Sequence, residues 1–172
     1  AQDIAASLEC LGGELNAYTS DERTTYHIKM LRKHFDIALD ILSDIVLNPL
    51  FRKDDIEKER KIILDEIKLV TDEPRHHQWI LFEKTLFKKH PVRNPTYGTM
   101  KAVRSMSRNS LLKYYKSYYV PNNMVITVVG KVDNLRKKIK RYFGHLKKKK
   151  LPKRKEFHEP ELTSARKKTE KR

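Results

Sequence analysis

Two acids, Glu59 and Glu66, stand seven residues apart in the run Asp54-Asp55-Ile56-Glu57-Lys58-Glu59-Arg60-Lys61-Ile62-Ile63-Leu64-Asp65-Glu66-Ile67-Lys68-Leu69-Val70. Seven residues bring an α-helix round to nearly the same face, so the two carboxylates lie two turns apart in one row. Ile56, Ile63 and Val70 form the row beside it. Carboxylates set in an apolar seam lose water, and they then need a cation, a metal ion or hydrogen-bond donors to stay charged. Two such acids in register point to a site. The plain alternative is a rim acid paired with a Lys for Glu66 and a salt bridge to a Lys or Arg on a neighbouring helix for Glu59.

Other residues with chemistry on offer are weaker candidates. His76 and His77 are adjacent, and neighbours on a helix diverge by about 100°, so they seldom chelate one ion. His27, His34 and His90 fall in a strand, at a helix start and before Pro91, all places where a structural role suffices. Trp79, Phe82 and Phe87 have helical spacing and are expected in the core. The basic runs at 147–150 and 166–172 could neutralise phosphates, but they lack interleaved aromatic residues and any nucleic-acid motif, so a solvated tail is favoured.

The elements that must position the acids follow from periodicity. Residues 2–11 have apolar positions at 4, 5, 8 and 11 and read as a helix stopped by Gly12-Gly13. Residues 14–19 alternate, residues 20–22 form a turn, and residues 23–31 are rich in Thr, Tyr and Ile, which predicts an antiparallel hairpin. Residues 34–47 form an amphipathic helix closed by Asn48-Pro49. Asp54 and Glu57 have the spacing of a capping box for the helix bearing the acids. Helices are further expected over 75–87, from Ser107 to Tyr118, and over 133–143, with a loop over 90–101 and an apolar strand over 124–129. The order α β β α α α α β α is that of an α+β fold, helices packed on a mainly antiparallel or mixed sheet.

The chain has 172 residues, 38% of them hydrophobic, enough for one domain with a core. Its longest apolar runs are too short to span a membrane, no targeting segment is visible, and the single Cys10 excludes an intrachain disulfide; the compartment stays open. The net charge of +16 is uneven: residues 1–130 carry +3 and residues 131–172 carry +13. Residues 1–144 are therefore read as the folded part and 145–172 as a basic linker or unfinished edge.

The ordered set of motifs resembles the pitrilysin, insulinase and mitochondrial processing peptidase family of zinc metallopeptidases, the inverzincins. The resemblance rests on Leu11-Gly12-Gly13-Glu14-Leu15-Asn16-Ala17-Tyr18-Thr19-Ser20 followed by Glu22, Thr24 and Tyr26. It rests also on Glu59-Arg60-Lys61-Ile62-Ile63-Leu64-Asp65-Glu66, and on Asn48-Pro49, His90-Pro91, Gly98-Thr99, and Tyr119 with Pro121, Asn123 and Met124 ahead of Gly130. It covers the chain to about Phe143. In that family two His of an inverted His-x-x-Glu-His helix and a downstream Glu bind zinc, and the Glu within the motif activates water. The resemblance implies that Glu66 is the third zinc ligand and Glu59 a supporting catalytic acid. It implies that Asn16, Ala17 and Tyr18 form an edge onto which a peptide or unfolded polypeptide adds as a strand.

The chain departs from the family in lacking His-x-x-Glu-His, and the family spacing puts the second His about a dozen residues upstream of Ala1. The expectation is a metallopeptidase-like N-terminal half-domain cut at both ends, inactive alone, that works with the missing helix and a second homologous half or partner subunit. Two alternatives stay open: a non-catalytic peptide-binding subunit of the same fold, and a nucleic-acid-binding module using residues 131–172.

Overall fold

The computed structural model describes residues 2–153 and 155–170, with side chains from Ala6 onward. The apolar positions Ile4 and Ala5 of the first helix and the end of the basic tail, Lys171-Arg172, thus lie outside the described side chains or residues. The elements are α1 (Gln2–Glu9), β1 (Glu14–Thr19), β2 (Thr24–Lys29), α2 (Phe35–Leu47), α3 (Lys53–Asp72), α4 (Pro74–Leu86), α5 (Met100–Ser105), α6 (Arg108–Tyr118) and α7 (Leu135–Phe143). No helix among them is long and apolar enough to cross a membrane.

The chain divides into two compact units. The first takes the residues up to Leu50 together with Leu112–Pro152. Gly12 ends α1 with φ +70°, a backbone conformation costly for other residues, and the N–H of Gly13 closes on the Leu8 carbonyl at 2.8 Å. The hairpin follows, β1 antiparallel to β2 with Asn16 opposite His27, Ala17 opposite Tyr26 and Tyr18 opposite Thr25. α2 packs on β2 and on α7. Among the described residues, Leu8, Ala38, Leu39, Val46 and Val120 are the buried apolar side chains of this unit.

Tyrosines tie the unit together. The Tyr115 hydroxyl reaches the Val46 and Leu47 carbonyls, at 2.9 and 2.8 Å, at the end of α2. The Tyr119 and Tyr26 hydroxyls meet at 3.0 Å. Burial, and then the bond with Tyr26, push the Tyr119 phenol up to about 12. The folded state thus favours the neutral phenol. Stability from this source is complete below the unfolded value of 10.0 and declines as pH rises from there toward 12. Tyr119→Phe should cost about 1 kcal/mol at neutral pH. The gap between the two proteins in urea midpoint should narrow over that alkaline range.

The second unit comprises Phe51–Leu111 and the described part of the segment beginning at Lys153. α3 packs on α4 and α5, with Ile67 and Val103 buried. Glu73 caps α4, its carboxylate accepting the N–H of His76 at 2.9 Å, and Pro74 takes the first helical position. Thr99 caps α5 by accepting the N–H of Ala102 at 3.1 Å.

Four expectations are corrected. The apolar stretch 124–129 forms no strand: among the described residues the sheet has two strands, and Val125 and Val129 are 92% and 95% exposed. A strand needs a partner for its backbone groups, and none of the described residues supplies one. The loop expected over 90–101 instead contains the start of α5. Asp54 does not cap α3, which begins at Lys53 after Arg52 without a side-chain cap; Asp54 and Asp55 lie within its first turn, where acids favour the helix dipole. Trp79 and Phe82 are exposed and meet edge to face rather than filling the core. Residues 79–82 are four consecutive apolar side chains spread most of the way round α4, so one packed face cannot take them all.

Candidate metal centre

α3 is the element that sets the two acids. Its inward side is formed by Ile56, Ile63, Ile67 and Val70, of which Ile67 is buried and the others half-buried. At 100° per residue, Glu59 and Glu66 lie about 50–70° round the helix from the middle of that side. Further round, in the same direction, come Ile62 and Leu69, 51% and 71% exposed. The helix therefore carries an uncovered stripe of Glu59, Ile62, Glu66 and Leu69, spaced three, four and three residues.

The row predicted from sequence is present, but the predicted loss of water is not: both carboxylates are exposed. α3 packs on α4 and α5 with Ile67 buried, while the adjoining row stays exposed. Neither acid takes the plain alternative. Glu59 and Glu66 have no hydrogen bond or ion pair with any described residue, whereas nearby cations on α3 choose other acids. Arg60 pairs with Glu57 at 3.1 Å and Lys68 with Asp65 at 2.8 Å.

The donor set decides what metal chemistry these residues fit. An unpaired carboxylate suits zinc as one of three protein ligands beside two imidazoles. Among the described residues no group of three His, Cys, Asp or Glu side chains converges. Glu66 fits as a single member of such a set, with Glu59 one turn-pair away on the same row. His76 and His77 do not join it; they bond Glu73 and Glu170, at 2.9 and 2.8 Å.

Asn16, Ala17 and Tyr18 belong to the first unit, and Glu59 and Glu66 to the second. All three hairpin residues are exposed. Among the described residues β1 pairs with β2 alone, which leaves its other edge open. Its Ala17 N–H is engaged by the neighbouring Asn16 Oδ1 at 2.8 Å. Tyr18 lies edge-on to His27, ring centroids 6.3 Å apart. A hydrogen bond with Thr25, then the Arg23 charge, holds its phenol below the ordinary value.

Two residues of consequence escaped the sequence reading, Arg60 and Glu159. Both bond backbone atoms remote in sequence. For Arg60 a signal existed, since it falls on the inward side of α3 beside Ile56 and Ile63; for Glu159 there was none.

Residues 1–100 match the insulinase (peptidase family M16) domain, and residues 105–172 match the domain described as the peptidase M16 inactive domain. The chain is 40% identical over 134 residues to the uncharacterized zinc protease ML0855 of Mycobacterium leprae, covering 78% of this chain and 30% of that protein. It is 34% identical over 167 residues to the uncharacterized zinc protease YmxG of Bacillus subtilis, covering 95% and 41%. A crystal structure of a protease from Helicobacter pylori superposes with a TM-score of 0.87 at 26% identity, over 96% of this chain and 41% of that one. The chain thus spans less than half the length of the relatives it matches. By these matches it belongs to the insulinase family of peptidases, family M16.

Proposed function

We propose that this chain is part of the N-terminal half of a zinc-dependent endopeptidase that hydrolyses peptides or unfolded polypeptides bound as an added strand. The observation that carries the reading is the uncovered stripe on α3, where two acids without partners are flanked by exposed Ile62 and Leu69. Apolar side chains in such a position favour the docking of another helix, and unpaired carboxylates favour a cation brought with it.

In this reading Glu66 binds the metal, together with imidazoles from outside this chain. Glu59 orients the ligands or holds a proton beside them, as outer carboxylates do. Bound zinc supplies carbonyl polarisation and a water of lowered pKa. Asn16, Ala17 and Tyr18 offer the backbone edge that aligns the peptide, the Asn16 side chain giving way at the Ala17 N–H. A second homologous half or partner subunit completes the chamber, and the chain alone is inactive.

The test is metal removal from the full-length protein. Stripping it with a chelator should lower hydrolysis of a fluorogenic peptide by about 100-fold or more, with recovery on adding zinc. Undiminished hydrolysis by metal-free protein would sink the proposal. A second reading, peptide binding without catalysis, draws on the match of residues 105–172 to a domain described as inactive. It predicts peptide binding with no hydrolysis whether or not zinc is present.

A further inference from the structure

The C-terminal segment from Lys153 onward has no helix or strand among its described residues, yet it is held in the second unit by side chains. Both oxygens of the Glu159 carboxylate are used. One accepts the N–H of Lys88, and the other accepts those of Lys89 and His90, each at 2.8 Å. Arg166 donates to the carbonyls of Thr85 and Leu86 at 3.3 and 2.6 Å, in the last turn of α4. Glu170 meets His77 at 2.8 Å near the start of α4. Phe157 lies edge-on to the His90 ring, centroids 6.1 Å apart. The segment therefore runs back along α4, from its C-terminal end at Glu159 to its N-terminal end at Glu170.

Each contact has a physical reason. The last carbonyls of a helix have no partner within it and carry partial negative charge, which suits the Arg166 guanidinium. The three N–H groups that follow α4 point to one place, and successive backbone N–H groups of this kind make a concavity for an anion. Partial desolvation raises the Glu159 carboxyl, but these donors, and then the charge of Arg166, bring it down to about 2. His90 and Arg93 also lie on the loop that faces it, and Arg93 turns its guanidinium to the Lys88 carbonyl.

We propose that the backbone of residues 88–90 is a carboxylate-binding site whose ligand is Glu159 of the same chain, so that residues 157–170 form a strap clipped along α4. The proposal is independent of the peptidase reading and concerns the second unit by itself. It also removes Arg166 from the set of cations open to phosphate, since that side chain is committed to helix carbonyls.

Hydrogen exchange on the whole chain tests it. In Glu159→Ala the amides of Lys88, Lys89 and His90 should exchange about tenfold faster or more, since charge-assisted bonds are lost. Trypsin should cut at Lys167 and Lys168 faster by a similar factor. Glu156→Ala, which alters an exposed acid of the same segment, should leave both readouts unchanged. Sodium acetate, compared with sodium chloride at equal ionic strength, should restore part of the protection at 88–90 in Glu159→Ala. Glu159→Gln keeps the shape without the charge and should fall between the two proteins. Unaltered exchange at 88–90 in Glu159→Ala overturns the proposal. So does acetate failing to outperform chloride.

Discussion

Glu66→Gln in the full-length protein is expected to lower kcat/KM for peptide hydrolysis by roughly a thousandfold, the loss of several kcal/mol of metal-dependent transition-state stabilisation. Folding should be indifferent to the change. Glu66 is exposed and makes no hydrogen bond or ion pair with a described residue, and such surface substitutions stay within about 0.5 kcal/mol. Glu59→Gln should cost about 10–100-fold, as for groups that act on a metal through its ligands. Zinc content measured on the purified variants separates the two roles: Glu66→Gln should lose the metal, while Glu59→Gln should weaken its retention. Asp65→Asn is the matched control. It neighbours Glu66 on α3 but pairs with Lys68, and it should leave hydrolysis unchanged. Wild-type hydrolysis and full zinc content in Glu66→Gln would end the assignment. Loss of activity and of folding stability in parallel would assign the residue to structure instead.

Arg60→Ala should produce the largest loss of stability in the second unit, about 2–4 kcal/mol. The Arg60 side chain is 16% exposed. It bonds the Val103 carbonyl, the Arg104 carbonyl at 3.0 Å and the Met106 carbonyl at 2.7 Å, while Glu57 holds its other side at 3.1 and 3.2 Å. α5 is only six residues long, too short to persist without outside support. Arg60 gathers its terminal carbonyls and fastens α5 to α3. Truncation leaves those carbonyls short of donors next to the buried Val103. Arg60→Lys should recover only part of the loss, because one ammonium cannot serve three carbonyls and a carboxylate with the fork of a guanidinium. Urea denaturation gives the energy, and exchange of the amides of residues 103–106 gives the location. A midpoint equal to wild type for Arg60→Ala would show that α5 holds without it.

Helix positions were legible because a helix is closed by bonds four residues apart and punctuated by local signals. α2 ends where Asn48-Pro49 said it would, and α4 runs over Pro74–Leu86 where a helix over 75–87 is expected. The hairpin was legible from alternation on both sides of a short polar turn. α5 was missed because six residues carry too little periodicity to stand out within a loop containing Pro91, Pro95 and Gly98. Residues 124–129 have strand composition, but pairing requires a second segment, and composition cannot say whether one is present. Trp79 and Phe82 have the spacing of core residues, but Ile80 and Leu81 compete for the same inward side.

The sequence by itself determined that Glu59 and Glu66 share a row of one helix, since that depends only on 3.6 residues per turn, and its ordered motifs determined the family. Only the tertiary structure decided that this row faces solvent without partners, that Arg60 secures the end of α5, and that Glu159 reaches the backbone of 88–90. Exposure and these bonds depend on which remote segments arrive beside a residue, over separations of 43 to 71 residues for Arg60 and Glu159, and no local period encodes that.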